Sequence, residues 1–305
     1  MNRFLIKPLS PIKGIIASIL LALMGFLIFL LMGVLLNTML FGDMQSGLST
    51  VSNYATSDGL MSIRILQVCQ TIGLFLFPAV MLAAFSSVGA NNFLGLKRIP
   101  VGLLVFSILI MFTFIPAVNL IASINAKIPM PAWMLEMEQA AMELTKAILT
   151  TNQLGVMLLN FIVVAIMPAI AEEFFFRGLI QKYIIQWTKN TVWGVVLAAA
   201  IFSAIHMQFQ GFIPRFLLGM LFGYLYVWSG SIWVPVAAHM ANNGMAVVVY
   251  YLIAKGVVPS QAETVGNISD LWQVGIVSLV IASILVWRFW KSTAAVKLNA
   301  HEASD

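Results

Sequence analysis

The chain has 305 residues, of which 61% are hydrophobic and only 9% charged, and its mean hydropathy is +0.98. Soluble globular domains carry about 25% charged residues, so a water-soluble core is excluded and the repeated apolar runs predict an all-α, polytopic membrane helix bundle. The net charge of +5 is scattered over loops and tails without a basic stripe, which argues against nucleic acid as a partner.

Arg3, Lys7 and Lys13 precede an apolar run from Gly14 to Leu36. That run exceeds the roughly 7–15 residues of a cleaved signal and reads as a retained first transmembrane helix. The one cysteine, Cys69, falls in the second apolar segment, so no intrachain disulfide forms. About eight transmembrane helices are expected, near 14–38, 66–86, 101–124, 153–172, 191–207, 212–229, 231–254 and 271–290. With an even number and the N-terminus inside, eleven cations face the cytoplasm: Arg3, Lys7, Lys13, Lys97, Arg98, Arg177, Lys182, Lys189, Arg288, Lys291 and Lys297. Five face outward: Arg64, Lys127, Lys146, Arg215 and Lys255. This is the asymmetry of the positive-inside rule, and it places both termini in the cytoplasm.

The connector before the fourth segment has helical spacing in Trp133, Met137, Ala140, Leu144 and Ile148, with Glu136, Glu138 and Glu143 largely off that stripe. It reads equally as an amphipathic helix on the outer membrane face or as a connector packed on the bundle.

The fourth segment ends in IMPAIAEEFFFRG. Pro168 stands four residues before Glu172 and is expected to disturb the helix where the carboxylates begin. Glu173 and Arg177 are i and i+4 and can pair, whereas Glu172 points about 100° away and has no local cation. An ionised side chain at a helix centre costs about 2.5–3.5 kcal/mol, so such groups face the bundle interior or snorkel to water. Two histidines favour the interior. Phe202 and His206 are i and i+4 on the fifth segment, as are His239 and Asn243 on the seventh; His301 lies in the polar tail.

This set suits hydrolysis of a carbonyl compound within a membrane. A buried free carboxylate can take a proton from water, imidazoles can orient the water or bind a metal, and a side-chain amide can donate to an oxyanion. Two histidines and a glutamate are also a catalytic zinc set. Other intramembrane protease patterns are missing: there is no H-E-x-x-H, LFGD at Asp43 has Leu40 where glycine is required, WSGS lacks the glycine two before either serine, and Cys69 has no evident base.

Glu172-Glu173 with Arg177, Phe202 with His206, and His239 with Asn243 resemble the E-E-x-x-x-R, F-x-x-x-H and H-x-x-x-N motifs of the CAAX prenyl endopeptidase and bacteriocin-processing (CPBP, or Abi) intramembrane proteases. They occur in the family's order across about residues 150–255. The resemblance implies a protease core over 151–255, preceded by motif-free helices and the amphipathic connector (1–150) and followed by a last helix and polar tail (256–305). It implies a cavity open toward the cytoplasm and membrane, and cleavage near the C-terminal end of a membrane-associated peptide or protein, lipidated or not. It further implies that Glu172 and His206 activate water, that His239 and Asn243 stabilise the oxyanion, and that Glu173, Arg177 and Phe202 support them. The expected setting is a prokaryotic inner membrane, with membrane lipid as the other partner.

Zinc, if used, would sit on Glu172, His206 and His239. Phe202 offers His206 packing but no acceptor, so metal-independent activation is favoured. A second class of function uses the same cluster without proteolysis, as an immunity or scaffold protein or a proton-coupled transporter. The absence of an internal repeat disfavours the transporter.

Overall fold

The computed structural model describes residues 9–42 and 55–302, with side chains through residue 294. Arg3, Lys7 and Asp43 lie outside the described residues, as do the side chains of Lys297 and His301.

The protein is an all-α membrane bundle with no sheet among the described residues. Nine helices matter here: α1 (Pro11–Phe41), α2 (Ser57–Ala84), α3 (Val101–Asn125), α4 (Ala132–Leu149), α5 (Leu154–Thr188), α6 (Thr191–Ala204), α7 (Phe212–Ser229), α8 (Trp233–Ala254) and α9 (Trp272–Glu302). All except α4 and α6 are long and apolar enough to cross a membrane, which makes seven spans among the described residues. The expected fifth span is the shorter α6, started by Asn190, whose side chain accepts from the amides of Val192 and Trp193. Its 14 residues rise only about 21 Å, so it cannot cross a bilayer alone. It nevertheless returns the chain between α5 and α7, preserving the predicted order of ends.

Small residues decide where the outer helices meet the bundle. On α1, Gly14, Ser18, Ala22, Gly25 and Gly33 form the buried stripe, while Leu20, Leu27 and Leu31 point outward. Backbones approach closely along such a stripe, and the large aliphatics face lipid. Prolines inside spans are repaired by neighbouring hydroxyls and amides. Ser278 of α9 bridges the break at Pro116, accepting from the Ala117 amide at 3.0 Å and donating to the Thr113 carbonyl at 2.5 Å.

The fourth span differs from expectation. Pro168 does not end it; α5 runs on through the carboxylates to Thr188, with π-helical turns at Phe161–Ile166 and Phe176–Gln181. The proline cannot donate to the Val164 carbonyl one turn back, and the Asn243 amide does so instead at 3.1 Å. The helix therefore continues, and Glu172 and Glu173 lie in mid-helix rather than at a membrane-surface terminus.

Helix α4 forms as predicted, but its faces are rotated relative to the predicted stripe. Glu138 is buried with Ile148 and Leu149, while Trp133, Met137 and Ala140 are exposed. The acid turns inward because its Oε2 accepts from the Gln210 amide at 2.9 Å. Trp133 meets Phe209 edge-on at 5.3 Å. Both contacts hold α4 across the loop that carries His206.

Candidate active site

Glu172, Glu173 and Arg177 come from α5, His206 from the end of α6, and His239 and Asn243 from α8. The predicted pair forms: Glu173 Oε2 lies 3.0 Å from Arg177 Nε, and the two side chains are 0% and 1% exposed. The contact is an ion pair whose angle misses that of a hydrogen bond. Arg177 Nη2 donates to the Gly219 carbonyl at 2.9 Å, and four residues on, Gln181 Nε2 donates to the Gly223 carbonyl at 3.2 Å. These two steps dock α5 on α7.

The other oxygen of Glu173 reaches across the bundle. His239 Nδ1–H donates to Oε1 at 2.9 Å, fixing a tautomer that leaves Nε2 free. His239 Nε2 lies 3.9 Å from Glu172 Oε2, a buried atom without a hydrogen-bond partner. Thus one carboxylate is tied to arginine and histidine, and the next residue presents an uncommitted oxygen. Phe222 of α7 stacks on the His239 ring at 4.9 Å and 17°, and Phe202 meets it edge-on at 5.9 Å.

His206 is positioned twice by Phe202. The rings meet edge-on at 5.1 Å, and Nδ1–H donates to the Phe202 carbonyl at 2.7 Å. The expectation that Phe202 offers no acceptor is therefore corrected: the backbone supplies one, because the helical i, i+4 spacing puts that carbonyl beneath the ring. Met207 then takes a left-handed φ of 53° as the chain leaves α6. Burial first, and the Arg215 charge second, push His206 down to about 4, against the Phe202 hydrogen bond. Its imidazole is neutral at physiological pH, with the lone pair on Nε2. His239 lies within 4 Å of Glu172, whereas His206 does not.

Asn243 accepts from Asn242 Nδ2 at 3.0 Å and commits one amide hydrogen to Val164, leaving the second available. The donor types of Glu172, His206 and His239 suit zinc, and both imidazoles have partners that orient them. As the side chains stand, no three His, Cys, Asp or Glu among the described residues form a group that could hold one ion.

Sequence reasoning missed Phe222, Gly219 and Arg215. The first two carry no local signal, because their partners are remote in the chain. Arg215 is visible as a lone cation in an apolar segment, but nothing local in the sequence ties its charge to His206.

A helical membrane protein organised around a buried Glu–Glu–Arg cluster and two histidines is the class that fold and site define. Over residues 154–245 the chain matches the profile of the type II CAAX prenyl endopeptidase Rce1-like family. It is similar to "Uncharacterized protein YpbD" of Bacillus subtilis (strain 168), 33% identical over 84 residues, which is 26% of this chain and 40% of that protein. It is also similar to "Putative membrane peptidase YdiL" of the same organism, 31% identical over 106 residues, 35% of this chain and 42% of that one. The matches span about two fifths of the length of these curated relatives. No solved structure matches significantly.

Proposed function

We propose that the protein is an intramembrane endopeptidase that hydrolyses a peptide bond in a membrane-associated peptide or protein. The observation that carries this reading is the uncommitted Glu172 oxygen, 3.9 Å from a His239 that is itself anchored on Glu173. A carboxylate buried beside an oriented imidazole is suited to take a proton from water.

The two imidazoles are suited to different tasks. His206, neutral and with its Nδ1–H committed, offers only an acceptor at Nε2 and can orient the attacking water toward Glu172. His239 keeps Nδ1–H on Glu173, and when Nε2 also carries a proton that Nε2–H can donate to the developing oxyanion. The remaining Asn243 amide hydrogen is a second donor. The proton gained by Glu172 then passes to the leaving amine.

The test is cleavage of a reporter ending in a C-terminal tetrapeptide by purified protein in proteoliposomes. Glu172→Gln should abolish cleavage while the variant still inserts and accumulates, since the amide keeps the volume but cannot take a proton. Wild-type activity should survive exhaustive chelation, with well under one metal per chain by elemental analysis. Turnover by Glu172→Gln at the wild-type rate would sink the assignment of the base. Activity lost on chelation and restored by zinc would instead put a metal on Glu172, His206 and His239.

A further inference from the structure

Away from the candidate site, α3, α7 and α9 enclose an apolar groove of about 450 Å3. Phe114 of α3, Leu221 and Trp228 of α7, and Leu279, Trp287 and Trp290 of α9 line it. Ser283 also lies in the wall, but its hydroxyl donates to the Leu279 carbonyl at 2.7 Å and so stays inside the helix. From Leu279 to Trp290 the groove runs about 16 Å along α9, close to half of a hydrocarbon core about 30 Å thick. It is one leaflet deep. The three tryptophans gather at one end. Trp228, held by a stack on Tyr224 at 5.3 Å and 23°, lies just before Ser231, whose hydroxyl donates to the Lys97 carbonyl at 2.7 Å. Phe289 meets Phe106 edge-on at 5.6 Å, which puts the α9 tryptophans near the start of α3. Tryptophans gathered at one depth mark a membrane–water interface. Arg288 and Lys291 are exposed at the same mouth. The guanidinium lies 5.9 Å from the Trp287 ring centroid, and the ammonium 4.9 Å from that of Trp290. No carboxylate among the described residues comes within 4 Å of either cation.

We propose that this groove is a binding site for an anionic phospholipid, which lays one acyl chain along α9 and sets its headgroup on Arg288 and Lys291. An acyl chain fills an apolar slot without burying a polar group, whereas an extended peptide would bring unsatisfied amides into the hydrocarbon region. A second copy of this chain fits less well. The wall carries mostly large side chains, not the run of small ones, as on α1, along which transmembrane helices approach closely. The two cations choose the headgroup, since each basic residue at a membrane surface favours an anionic lipid over a zwitterionic one. The inference is independent of the endopeptidase reading.

The test counts bound lipid directly. Delipidated full-length protein in neutral detergent is titrated with dioleoyl-phosphatidylglycerol or dioleoyl-phosphatidylcholine, and adducts are measured by native mass spectrometry. The first phosphatidylglycerol should bind about tenfold more tightly than phosphatidylcholine, the effect of two surface cations partly screened by salt. Arg288→Gln with Lys291→Gln should narrow that ratio to below about twofold. Lys97→Gln with Arg98→Gln, which lowers the charge of the same end away from α9, should leave it unchanged. Ser283→Trp, which fills the groove without touching either cation, should weaken binding of both lipids about tenfold. If that variant fails to fold, Trp287→Ala with Trp290→Ala opens the groove wall instead and should weaken both lipids several-fold. Equal binding of the two lipids, no adduct of either, or a preference kept without Arg288 and Lys291 would overturn the assignment. So would a preference removed by the Lys97 and Arg98 changes, or binding that ignores the groove variants. A dimer that Ser283→Trp dissociates, with no lipid adduct on the monomer, would make the groove a face between copies.

Discussion

Arg177 is held from several sides at once. Nε meets Glu173 at 3.0 Å, Nη2 meets the Gly219 carbonyl at 2.9 Å, and the guanidinium lies 5.1 Å and 5.6 Å from the ring centroids of Phe202 and Phe222. Removing it leaves Glu173 fully buried with His239 as its one remaining polar partner, a defect of about 3–5 kcal/mol for a broken buried pair. Arg177→Ala should therefore lower the melting temperature in detergent and the cleavage rate together. Lost activity with unchanged melting would make Arg177 a participant in the chemistry instead of a support. At this scale the sequence was informative wherever partners are one turn apart, as for Glu173 with Arg177 and Phe202 with His206. It was silent where they are distant: the Glu173–His239 bond joins residues 66 positions apart. The Asn243–Val164 bond lies between. Any proline at 168 frees the carbonyl at 164, but which side chain supplies the donor depends on how α8 packs.

Helix α7 sets the site through what it lacks. A Cβ at Gly219 would stand 3.1 Å from the Ala199 Cβ and 3.2 Å from Phe202 Cδ1, and one at Gly223 would stand 2.7 Å from Gln181 Oε1. These glycines let α7 close on α5 and α6 so that its carbonyls meet Arg177 and Gln181 and its Phe222 reaches His239. A larger residue at 219 pushes on Ala199 and on Phe202, and Phe202 orients His206 through both ring and carbonyl. Overpacking of this kind costs about 1–3 kcal/mol. Gly219→Ala should lower activity several-fold with a small loss of stability, and Gly219→Leu should abolish activity and lower the melting temperature clearly. Gly102→Ala, at a position with no neighbour within 4 Å, is the matched control and should leave both near wild type. Wild-type turnover by Gly219→Leu would remove α7 spacing from the account. Hydropathy predicted these helices well, because each span must present about 20 apolar residues. It gave no warning that α5 runs 35 residues through the site, since the charges at 172, 173 and 177 read as an end when their buried partners are out of view.

The bundle has two unlike ends. The 18 residues of α7 separate them by about 27 Å. Arg215 and the polar cavity it lines with Glu138, Lys146 and Gln208 lie at one end, with Lys127, Lys255 and the buried Arg64, which donates to the Ile148 carbonyl at the close of α4. Lys97 lies at the other, where its carbonyl accepts from Ser231 just beyond α7, with Lys182 bonded to Phe93 nearby. The cavity thus opens among the five cations expected outside, whereas the family resemblance implies a cavity open to the cytoplasm. Both expectations cannot hold together. We propose that charge distribution governs the orientation, because the lysine-rich end resists translocation, so the cavity faces outward. In a Cys69→Ser background, Gln261→Cys reports on the cavity end and Asn91→Cys on the other; both positions are exposed. A membrane-impermeant maleimide applied to intact cells should label Gln261→Cys and spare Asn91→Cys, with both labelled after permeabilisation. The opposite pattern would place the cavity in the cytoplasm.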